Sequence, residues 1–417
     1  MTTTLEPRDA VTRRGIMRAG AALGIGTLAA PYVIGQARAA DIVKIGFVDP
    51  FTGPYAAYAH NEQLGANMAV DALNAKNGIL GRKIEMIVED TQANVGVGVE
   101  KTNKLLDRDN CDFIVGTVSS NVSQAVAQVC AQKKKLCMIT GGHVDDITGT
   151  HCSWNVFRVC NTTYTVALAT AATLVKKFGK RWYFVVADYS FGHALHDNML
   201  AALKSLGGEE VGVSLKPLGT TDYSSELIKA KAANPQVVGC LVGGDDELNL
   251  LKQANQFGLS KQIPFVVPLS ELETIAALPP AAQAGFWNLE WYWDQPDVPH
   301  VADFVKEAQK REPNKVPTAR TMFGYVGIHA LALAAEKAKT LDNLKVGDAL
   351  SGLELPPEVA LQPGKHYFDP ATHQYVGGDF TGEIKAGATY PKLMSDVTYQ
   401  YATALQAPGV VCKMTTA

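Results

Sequence analysis

Charge is scarce in this sequence, and neither sign dominates. Charged residues make up 19% of the 417 residues, and the formal net charge is -3 at pH 7. The chain contains no long block of like charges and no low-complexity tract. Since nucleic acids and acidic membranes attract basic surfaces, the composition predicts neither as a partner. The length predicts two or three domains, at about 150 residues each.

The motifs of common catalytic and nucleotide-binding sites are also missing. The sequence has no G-x-S-x-G, no G-x-x-x-x-G-K-[ST] and no H-E-x-x-H, and no G-x-G-x-x-G follows a predicted strand. Its nine histidines are scattered. His193 and His196 lie on one predicted helix, but no third metal ligand is near them in sequence. We therefore expect no enzyme, no metal site and no cofactor.

The seven cysteines include no C-x-x-C pair, which argues against a zinc ribbon or a thioredoxin-type motif. Cys111 and Cys137 begin two strands that are predicted neighbours, so they are a candidate disulfide in an oxidising compartment. Cys152 and Cys160 flank a short segment and are a second candidate. An odd count leaves at least one free thiol, for which Cys240 is the candidate. Alternatively, all seven are small hydrophobic core residues.

No apolar run is long enough to span a membrane, even in the first forty residues. There, Arg13 and Arg14 precede a weakly apolar run at 19–34, and a small-x-small pattern follows at 37–39. This order resembles a twin-arginine signal peptide over residues 1–40, which implies export to the periplasm and removal of the signal. The alternative is a disordered basic tail followed by a core helix.

The stretch after the signal predicts a βαβ unit. Residues 43–48 are an apolar run rich in β-branched side chains, which favours a buried strand. Apolar residues at helical spacing predict a helix over 62–76, and residues 84–88 predict a second, parallel strand. In open sheets of this kind, ligands bind in loops beyond the carboxyl ends of strands. The loop 49–58 is such a place.

The alternation of strands and helices continues along the chain. It predicts an α/β fold of two doubly wound parallel-sheet lobes joined by a hinge with several crossings. The first lobe covers 41–155 and the second covers 156–285, with a crossing at 153–158. Residues 286–417 are predicted to return to the first lobe and to supply further crossings.

The order of these elements also resembles a known family. A strand, a P-x-TGPYA loop, a helix ending in DALNAKNGILGRKIE, a second strand and VEDTQ are similar to the start of type I periplasmic binding proteins. The resemblance is greatest to the branch of leucine/isoleucine/valine-binding proteins and their relatives for aromatic acids and amides. It implies a monomeric solute-binding protein of an ABC importer, which closes its lobes on a small ligand and partners a membrane permease.

The resemblance directs attention to two loops of the first lobe. Ser119 and Ser120 open a helix after the third strand, where hydroxyl and backbone N–H groups make an anion site. The family binds the ligand carboxylate at a matching loop, although these serines could simply cap the helix.

The second loop, after the fourth strand, reads Thr140-Gly141-Gly142-His143. Amino-acid-binding relatives have hydroxyl and small side chains here, so the glycines argue against a branched-chain amino acid as the ligand. Gly141 and Gly142 either leave room for a bulkier ligand or serve a turn, and His143 either contacts the ligand or is a solvated loop residue.

In the second lobe, the family carries a D-Y-x-x-G stretch whose aromatic residue closes over the ligand. Tyr189 is the matching residue; Phe191 is a second candidate that could equally belong to the core. Two acidic loops follow later strands, Gly244-Asp245 and Ser270-Glu271. Each carboxylate could accept an ammonium group, and Asp245 could instead cap a helix.

Aromatic residues complete the predicted site. Tyr55 lies in the opening loop, and the segment 291–293 carries two tryptophans and a tyrosine that either face the cleft or pack in the hinge. Aromatic side chains suit an apolar or aromatic ligand, so we expect a small aromatic or apolar carboxylate. The alternatives are a branched-chain or other amino acid, a sensing subunit for a membrane receptor, and an exported α/β enzyme.

Overall fold

In the computed structural model, the strands lie in two sheets. The structure describes residues 42–283, 285–384, 387–401 and 411–414. The twin-arginine signal predicted for residues 1–40 lies outside the described residues. None of the described helices combines the length and the apolar character that crossing a membrane requires.

The first sheet has five parallel strands in the order β2-β1-β3-β4-β5. Its strands are β1 Val43–Asp49, β2 Ile84–Asp90, β3 Phe113–Gly116, β4 Cys137–Ile139 and β5 Val156–Arg158. The prediction that 153–158 crosses between lobes is wrong for its last three residues, because Val156 pairs with Cys137 of β4. A strand of three residues is too short to show a period in the sequence.

The second sheet has seven strands in the order β12-β11-β10-β9-β8-β6-β7. They are β6 Arg181–Ala187, β7 Glu209–Lys216, β8 Val237–Leu241, β9 Phe265–Val267, β10 Phe286–Leu289, β11 Gly378–Ile384 and β12 Met394–Tyr401. The strands β6 to β10 are parallel, whereas β11 and β12 are antiparallel to their neighbours. The strand predicted to lead back to the first lobe is β10, which stays in the second sheet.

Helices cover both faces of each sheet. The helices are α1 Ala56–Ala75, α2 Val95–Asn103, α3 Ser120–Gln132, α4 Thr163–Phe178, α5 Ser190–Ser205, α6 Ser224–Ala232, α7 Asp245–Gln256, α8 Leu272–Ala276, α9 Val301–Arg311, α10 Ala319–Ala338, α11 Asn343–Leu350 and α12 Pro357–Ala360. Successive side chains of β1 point to opposite faces, so Phe47 packs among α1, α9 and α10 while Val48 packs beside α3. Residues of the late helices α9 to α12 share the core of Phe47, so these helices belong to the first lobe.

Two glycines bring α1 and α10 into close contact. A Cβ atom on Gly65 would lie 1.7 Å from the carbonyl oxygen of Thr321, and one on Gly324 would lie 2.0 Å from the carbonyl oxygen of Glu62. No side chain fits in this space. The close crossing places Glu62 of α1 beside the first turn of α10.

Within the described residues, three segments connect the lobes: one after β5, one after β10 and one before β11. Hydrogen bonds join them side by side. The backbone N–H of Asn161 donates to Glu290 Oε1 at 2.7 Å, and Gln362 Nε2 donates to the carbonyl oxygen of Glu290 at 2.9 Å. The N–H of Gly378 donates to Gln362 Oε1 at 3.1 Å. Several crossings are present, as predicted for the hinge, but the first lies after β5 and not at 153–158.

The cysteine pairs expected from the sequence are wrong. Cys152 forms a disulfide with Cys412, near the end of the chain, and not with Cys160. Cys111, Cys137 and Cys160 are buried free thiols. The sequence could not reveal the true pair, because its two members lie 260 residues apart and only the fold brings them together. Cys240 is a buried free thiol, as expected.

Candidate functional site

A cavity lies where loops from the two sheets meet. From the first lobe it is lined by Tyr55, Tyr58, Val118, His143 and Arg320. From the second lobe it is lined by Tyr189, Phe191, Gly243, Leu269, Ser270 and Glu271. Most of these residues directly follow the carboxyl end of a strand, which is the place that open α/β sheets use for ligands. The lobes are closed in this structure, because the space between these side chains is only about 20 Å³, roughly the room one water molecule needs.

One side of the cavity is aromatic, and we call Tyr55, Tyr58, Tyr189 and Phe191 the tyrosine face. The rings of Tyr55 and Tyr58 stack with centroids 5.8 Å apart, and those of Tyr189 and Phe191 lie 5.9 Å apart. The hydroxyl of Tyr55 is hydrogen-bonded to that of Tyr189 across the lobes. Burial raises the pKa of both tyrosines, so their hydroxyls are neutral. The face offers ring surface and hydroxyl groups without charge.

The other side holds a buried ion cluster, and we call Glu62, Glu271 and Arg320 the charged cluster. Arg320 is 3% exposed and lies in the first turn of α10. Its Nη1 donates to Glu62 Oε1 at 3.2 Å, and its Nε donates to Glu271 Oε1 at 3.1 Å. The guanidinium carbon also lies 4.9 Å from the centroid of the Tyr58 ring. Glu62 belongs to the first lobe and Glu271 to the second, so Arg320 joins the two.

Burial and charge oppose each other in this cluster. Burial raises the pKa of Glu271 to about 8, although Arg320 pulls it down. Burial lowers the pKa of Arg320, but Glu271 and Glu62 outweigh this effect and leave that pKa above its ordinary value. The guanidinium is therefore always charged. Glu271 exchanges its proton near physiological pH.

His143 links the cavity to the connection between the lobes. Its Nε2 lies 2.7 Å from Glu290 Oε2, and its ring meets Phe191 edge-on with centroids 6.1 Å apart. Burial lowers the pKa of His143 despite the carboxylate beside it. We therefore assign a neutral imidazole that donates its Nε2–H to Glu290. His143 is 2% exposed, so the solvated alternative is excluded.

Ser119 and Ser120 are buried next to the cavity but are not among the residues that line it. Ser119 Oγ donates to Asn121 Oδ1 at 2.6 Å, and Ser120 Oγ accepts the backbone N–H of His143 at 3.1 Å. Ser119 is the N-cap residue of α3, but its side chain makes no capping bond. The hydroxyl of Ser120 thus holds the loop at His143 against the start of α3, whereas that of Ser119 bonds only within this helix start.

The two glycines of the fourth-strand loop fit against protein groups and leave no space for a ligand here. A Cβ atom on Gly141 would lie 2.6 Å from Arg320 Nη1, and one on Gly142 would lie 2.4 Å from Ser123 Oγ. Thr140 is buried and donates to the carboxylate of Glu62. In this closed structure, the space at the glycines is taken by the charged cluster and by α3. The interpretation that they make room for a bulkier ligand is wrong for this conformation.

The acidic loops of the second lobe differ in their placement. Asp245 is exposed at the start of α7, and its backbone N–H donates to the carbonyl oxygen of Pro54 at 3.0 Å. The N–H of Gly244 donates to Tyr58 Oη at 2.9 Å. Ser270 lines the cavity and donates to Glu247 Oε1 at 2.6 Å. Of the acidic candidates, the structure brings Glu271 to the cavity and leaves Asp245 outside it.

The segment 291–293 packs in the cores. Trp291 is buried against Phe304 and donates its Nε1–H to the carbonyl oxygen of Leu361 at 2.7 Å, and Tyr292 belongs to the core of the second lobe. Neither residue lines the cavity. The hinge-packing alternative is therefore the observed one for both.

Sequence reasoning missed Arg320 and assigned Tyr58 only to a loop. Both lie inside helices, where a strand-end rule gives no signal. A signal for Arg320 existed: it is the one Lys, Arg, Asp or Glu in residues 319–335, which are otherwise apolar, small or weakly polar. A helix that is apolar all round is buried, and a lone charge within it requires a partner.

The cavity contains no constellation typical of catalysis or metal binding. Within the part of the chain that the structure describes, no three His, Cys, Asp or Glu side chains are grouped to hold a metal ion. The polar groups on its walls are a guanidinium, a carboxylic acid, a serine hydroxyl, an imidazole and tyrosine hydroxyls. These groups can orient and bind a small molecule.

Comparison with known proteins agrees with this geometry. The profile of the periplasmic binding protein family matches residues 42–388. A Leu/Ile/Val-binding protein of Rhizobium johnstonii, BraC3, is 30% identical over 338 residues, which cover 80% of this chain and 90% of that protein.

Solved structures are similar as well. A periplasmic binding protein from Burkholderia mallei superimposes with a TM-score of 0.80 at 26% identity, covering 87% of this chain and 96% of that one. A solute-binding protein of an ABC transporter from R. palustris, solved in complex with benzoate, gives a TM-score of 0.79 at 21% identity, covering 89% of this chain and all of that one. At that identity the likeness concerns the fold alone.

Proposed function

Because this chain belongs to the periplasmic binding protein family, whose members bind solutes and are not enzymes, we propose that it captures a small organic carboxylate in the periplasm for an ABC importer. The family resemblance and the two-lobed α/β fold predicted from the sequence are confirmed. The remaining steps of the proposal concern the ligand, the mechanism and the partner.

The observation that carries the proposal is the cavity between the lobes. Its walls come from both lobes, and its polar groups suit binding without chemistry. A ligand enters when the lobes are apart and is enclosed when they close about the three-segment connection. On closure, Tyr189 of the second lobe approaches Tyr55 of the first and covers the ligand. The membrane permease then recognises the closed form.

The ligand proposed is aromatic or apolar, because the tyrosine face supplies most of the ring surface in the cavity. The R. palustris protein named above was solved with benzoate, which supports an aromatic acid. BraC3 is named for leucine, isoleucine and valine, which supports the alternative of a branched-chain amino acid. The carboxylate-binding role of Ser119 and Ser120, which the family resemblance implies, stays a prediction; in this structure both hydroxyls are hydrogen-bonded within the first lobe.

A ligand screen tests the proposal. The protein without its signal is heated with benzoate, 4-hydroxybenzoate, phenylalanine, leucine or valine, and each hit is measured by isothermal titration calorimetry. We expect an aromatic acid to give the largest rise in melting temperature, because ligand binding to the folded state alone stabilises it. If only leucine and valine raise the melting temperature, the aromatic preference is wrong. If no small molecule does so, the binding function itself is wrong.

The proposed partner is the permease of the importer, and the proposed location is the periplasm. A sensing subunit would bind the same ligand but would act on a membrane receptor. Uptake of the radiolabelled ligand by cells distinguishes the two roles. Deleting the gene should abolish high-affinity uptake if the protein serves an importer, and should leave uptake intact if it serves a receptor.

A further inference from the structure

The first turn of α10 holds a carboxylate at the wall of the cavity. Oε1 of Glu271 accepts a hydrogen bond from Arg320 Nε at 3.1 Å, and Oε2 accepts one from the backbone N–H of Ala319 at 3.2 Å. Ala319 is the first residue of a helix of 20 residues, whose N-terminus favours negative charge. The protein therefore contains a two-point carboxylate site beside the cavity, and its occupant is a side chain of the opposite lobe.

We propose that the carboxylate of the ligand replaces Glu271 at Ala319 and Arg320, which makes Arg320 the residue that selects acids over neutral molecules. This inference rests on the function proposed above, which requires an acidic ligand. It differs from the assignment to Ser119 and Ser120, since those hydroxyls are bonded within the first lobe and do not line the cavity.

The replacement follows from the position of the three residues. Ala319 and Arg320 belong to α10 of the first lobe, whereas Glu271 follows β9 of the second lobe. When the lobes part, Glu271 moves away, and Arg320 keeps Glu62, which is bonded within the first lobe. The donors that held Glu271 then face the open cleft. A planar guanidinium with a neighbouring backbone N–H matches a carboxylate in geometry as well as in charge.

Closure on a bound acid brings Glu271 next to a second carboxylate, so Glu271 must then be neutral. Burial raises its pKa to about 8, which allows it to keep a proton at pH 7. Above that pKa an ionised Glu271 competes with the ligand, and acid affinity should fall as pH rises through about 8. Three ionisable side chains shift the pKa of Glu271: Arg320 of α10, Glu273 of α8 and Glu290 after β10. Glu271 in turn raises the pKa of Tyr58 of α1 and of Glu247 of α7.

The rival explanation is that Glu271 and Arg320 form a latch that holds the lobes closed. The two explanations predict opposite effects of Glu271→Gln, which keeps the shape of the side chain and removes its charge. A latch would be weakened, so every ligand would bind less tightly. In the replacement mechanism the competitor loses its charge, so acids alone would bind more tightly.

The experiment is isothermal titration calorimetry with benzoate and with benzamide, its neutral counterpart, at pH 6.5 and pH 8.5. If the wild-type protein does not bind benzoate, the aromatic acid with the largest thermal shift and its amide take their place. We expect Glu271→Gln to bind the acid about fourfold more tightly than wild type at pH 8.5, because about three quarters of Glu271 is ionised there, with almost no gain at pH 6.5 and with the amide unchanged. Equal weakening of acid and amide would overturn the inference and establish the latch.

Glu273→Gln is the matched control. Glu273 lies in the first turn of α8, two residues after Glu271, and is partly buried; burial raises its pKa to about 7, but it accepts a hydrogen bond from Asn61 Nδ2 at 2.5 Å and does not line the cavity. Its substitution should leave acid affinity within twofold at both pH values. An equal gain in Glu273→Gln would mean that any lost negative charge tightens binding, and would overturn the role given to Glu271.

A second variant tests the arginine. Arg320→Lys keeps the positive charge that Glu62 and Glu271 need for folding but removes the planar pair of donors. We expect the acid to bind at least tenfold less tightly and the amide to be unaffected; a proportional loss for both would argue against Arg320 as the selecting residue. If the wild type binds an acid and Glu271→Gln gains nothing, the inference alone fails. If the wild type binds no acid at all, the proposed function is wrong, and the inference about Arg320 and Glu271 is wrong as well.

Discussion

The tyrosine face and the charged cluster border the same cavity, yet they are built in different ways. Tyr55 and Tyr189 lie at loop ends of opposite lobes, where Tyr189 packs against the small cluster that contains Tyr55 and the two hydroxyls are hydrogen-bonded. Glu62 and Arg320 lie on two helices of one lobe that pack closely at Gly65 and Gly324. The Glu62–Arg320 pair is therefore set by helix packing within the first lobe before any ligand arrives, whereas closure adds Glu271 to it and brings Tyr189 to Tyr55. This difference implies that charge decides which molecules are admitted and that the rings act afterwards.

The largest expected difference between the two halves is in their response to pH. The folded-state pKa of Glu271, about 8, lies above its ordinary value of 4.5. The folded protein therefore binds more protons than the unfolded chain between these values, and the free energy of unfolding falls as pH rises from about 4.5 to about 8. Each pKa unit is worth about 1.4 kcal/mol, so this group alone contributes a loss of roughly 4 kcal/mol.

Urea denaturation of wild type and Glu271→Gln between pH 5 and pH 9 measures this contribution. The substituted protein should show the shallower slope, and the gap between the two curves should grow with pH. The tyrosines of the other half do not titrate in this range. Parallel curves would mean that Glu271 has an ordinary pKa in the folded protein, and the charge assignments of the cluster would need revision.

The packing beneath the charged cluster should be nearly as sensitive. Gly324→Ala would push a methyl group against the backbone of Glu62, with only 2.0 Å available, and should lower the free energy of unfolding by about 3 kcal/mol. Gly327→Ala, on the same helix, meets only side chains, the nearest atom being Met138 Cγ at 3.2 Å. It should change stability by less than about 1 kcal/mol, since alanine favours the helix. Equal effects in denaturation would show that the close crossing is not what the glycine provides.

The tyrosine face should show a smaller effect on affinity. Tyr189→Ala removes one ring from the closed cavity and should weaken binding of the aromatic acid by about 2 kcal/mol, or roughly thirtyfold; folding stability should fall as well, because the ring also packs against Phe191 and the apolar cores of the second lobe. Tyr189→Phe keeps the ring and loses only the hydroxyl contact with Tyr55, so a loss of about fivefold is expected. Calorimetry on both variants separates the contribution of the Tyr189 ring to binding affinity from that of its hydroxyl. Unchanged affinity in Tyr189→Ala would remove Tyr189 from the site.

The same contrast explains how much of the structure could be read from the sequence. The apolar run rich in β-branched residues predicts β1 to within one residue, because a strand buried on both faces is a nearly continuous apolar run. The short strand β5 and the helices α11 and α12 carry too few residues to show a period, and β12 is half exposed along its length. Their positions depend on neighbours that are distant in sequence.

The candidate site divides in the same way. Tyr55, His143, Tyr189 and Ser270 could be anticipated, because strand-end loops gather at one edge of a sheet whatever the details of packing. Arg320 could not be anticipated from that rule, because its place at the cavity depends on how α10 lies against α1. A charged residue in a helix usually faces solvent. Arg320 is buried instead, because α10 is covered on nearly every side.

The division of the first lobe along the chain has a consequence for its synthesis. The lobe begins with β1, but α10, which covers the same sheet face as Phe47, is translated almost three hundred residues later. The parallel core of the second lobe, β6 to β9, is complete within residues 181–267. On the ribosome the apolar sheet face that emerges first is therefore covered only after the parallel core of the second lobe has been translated, and until then it is exposed or held by a chaperone.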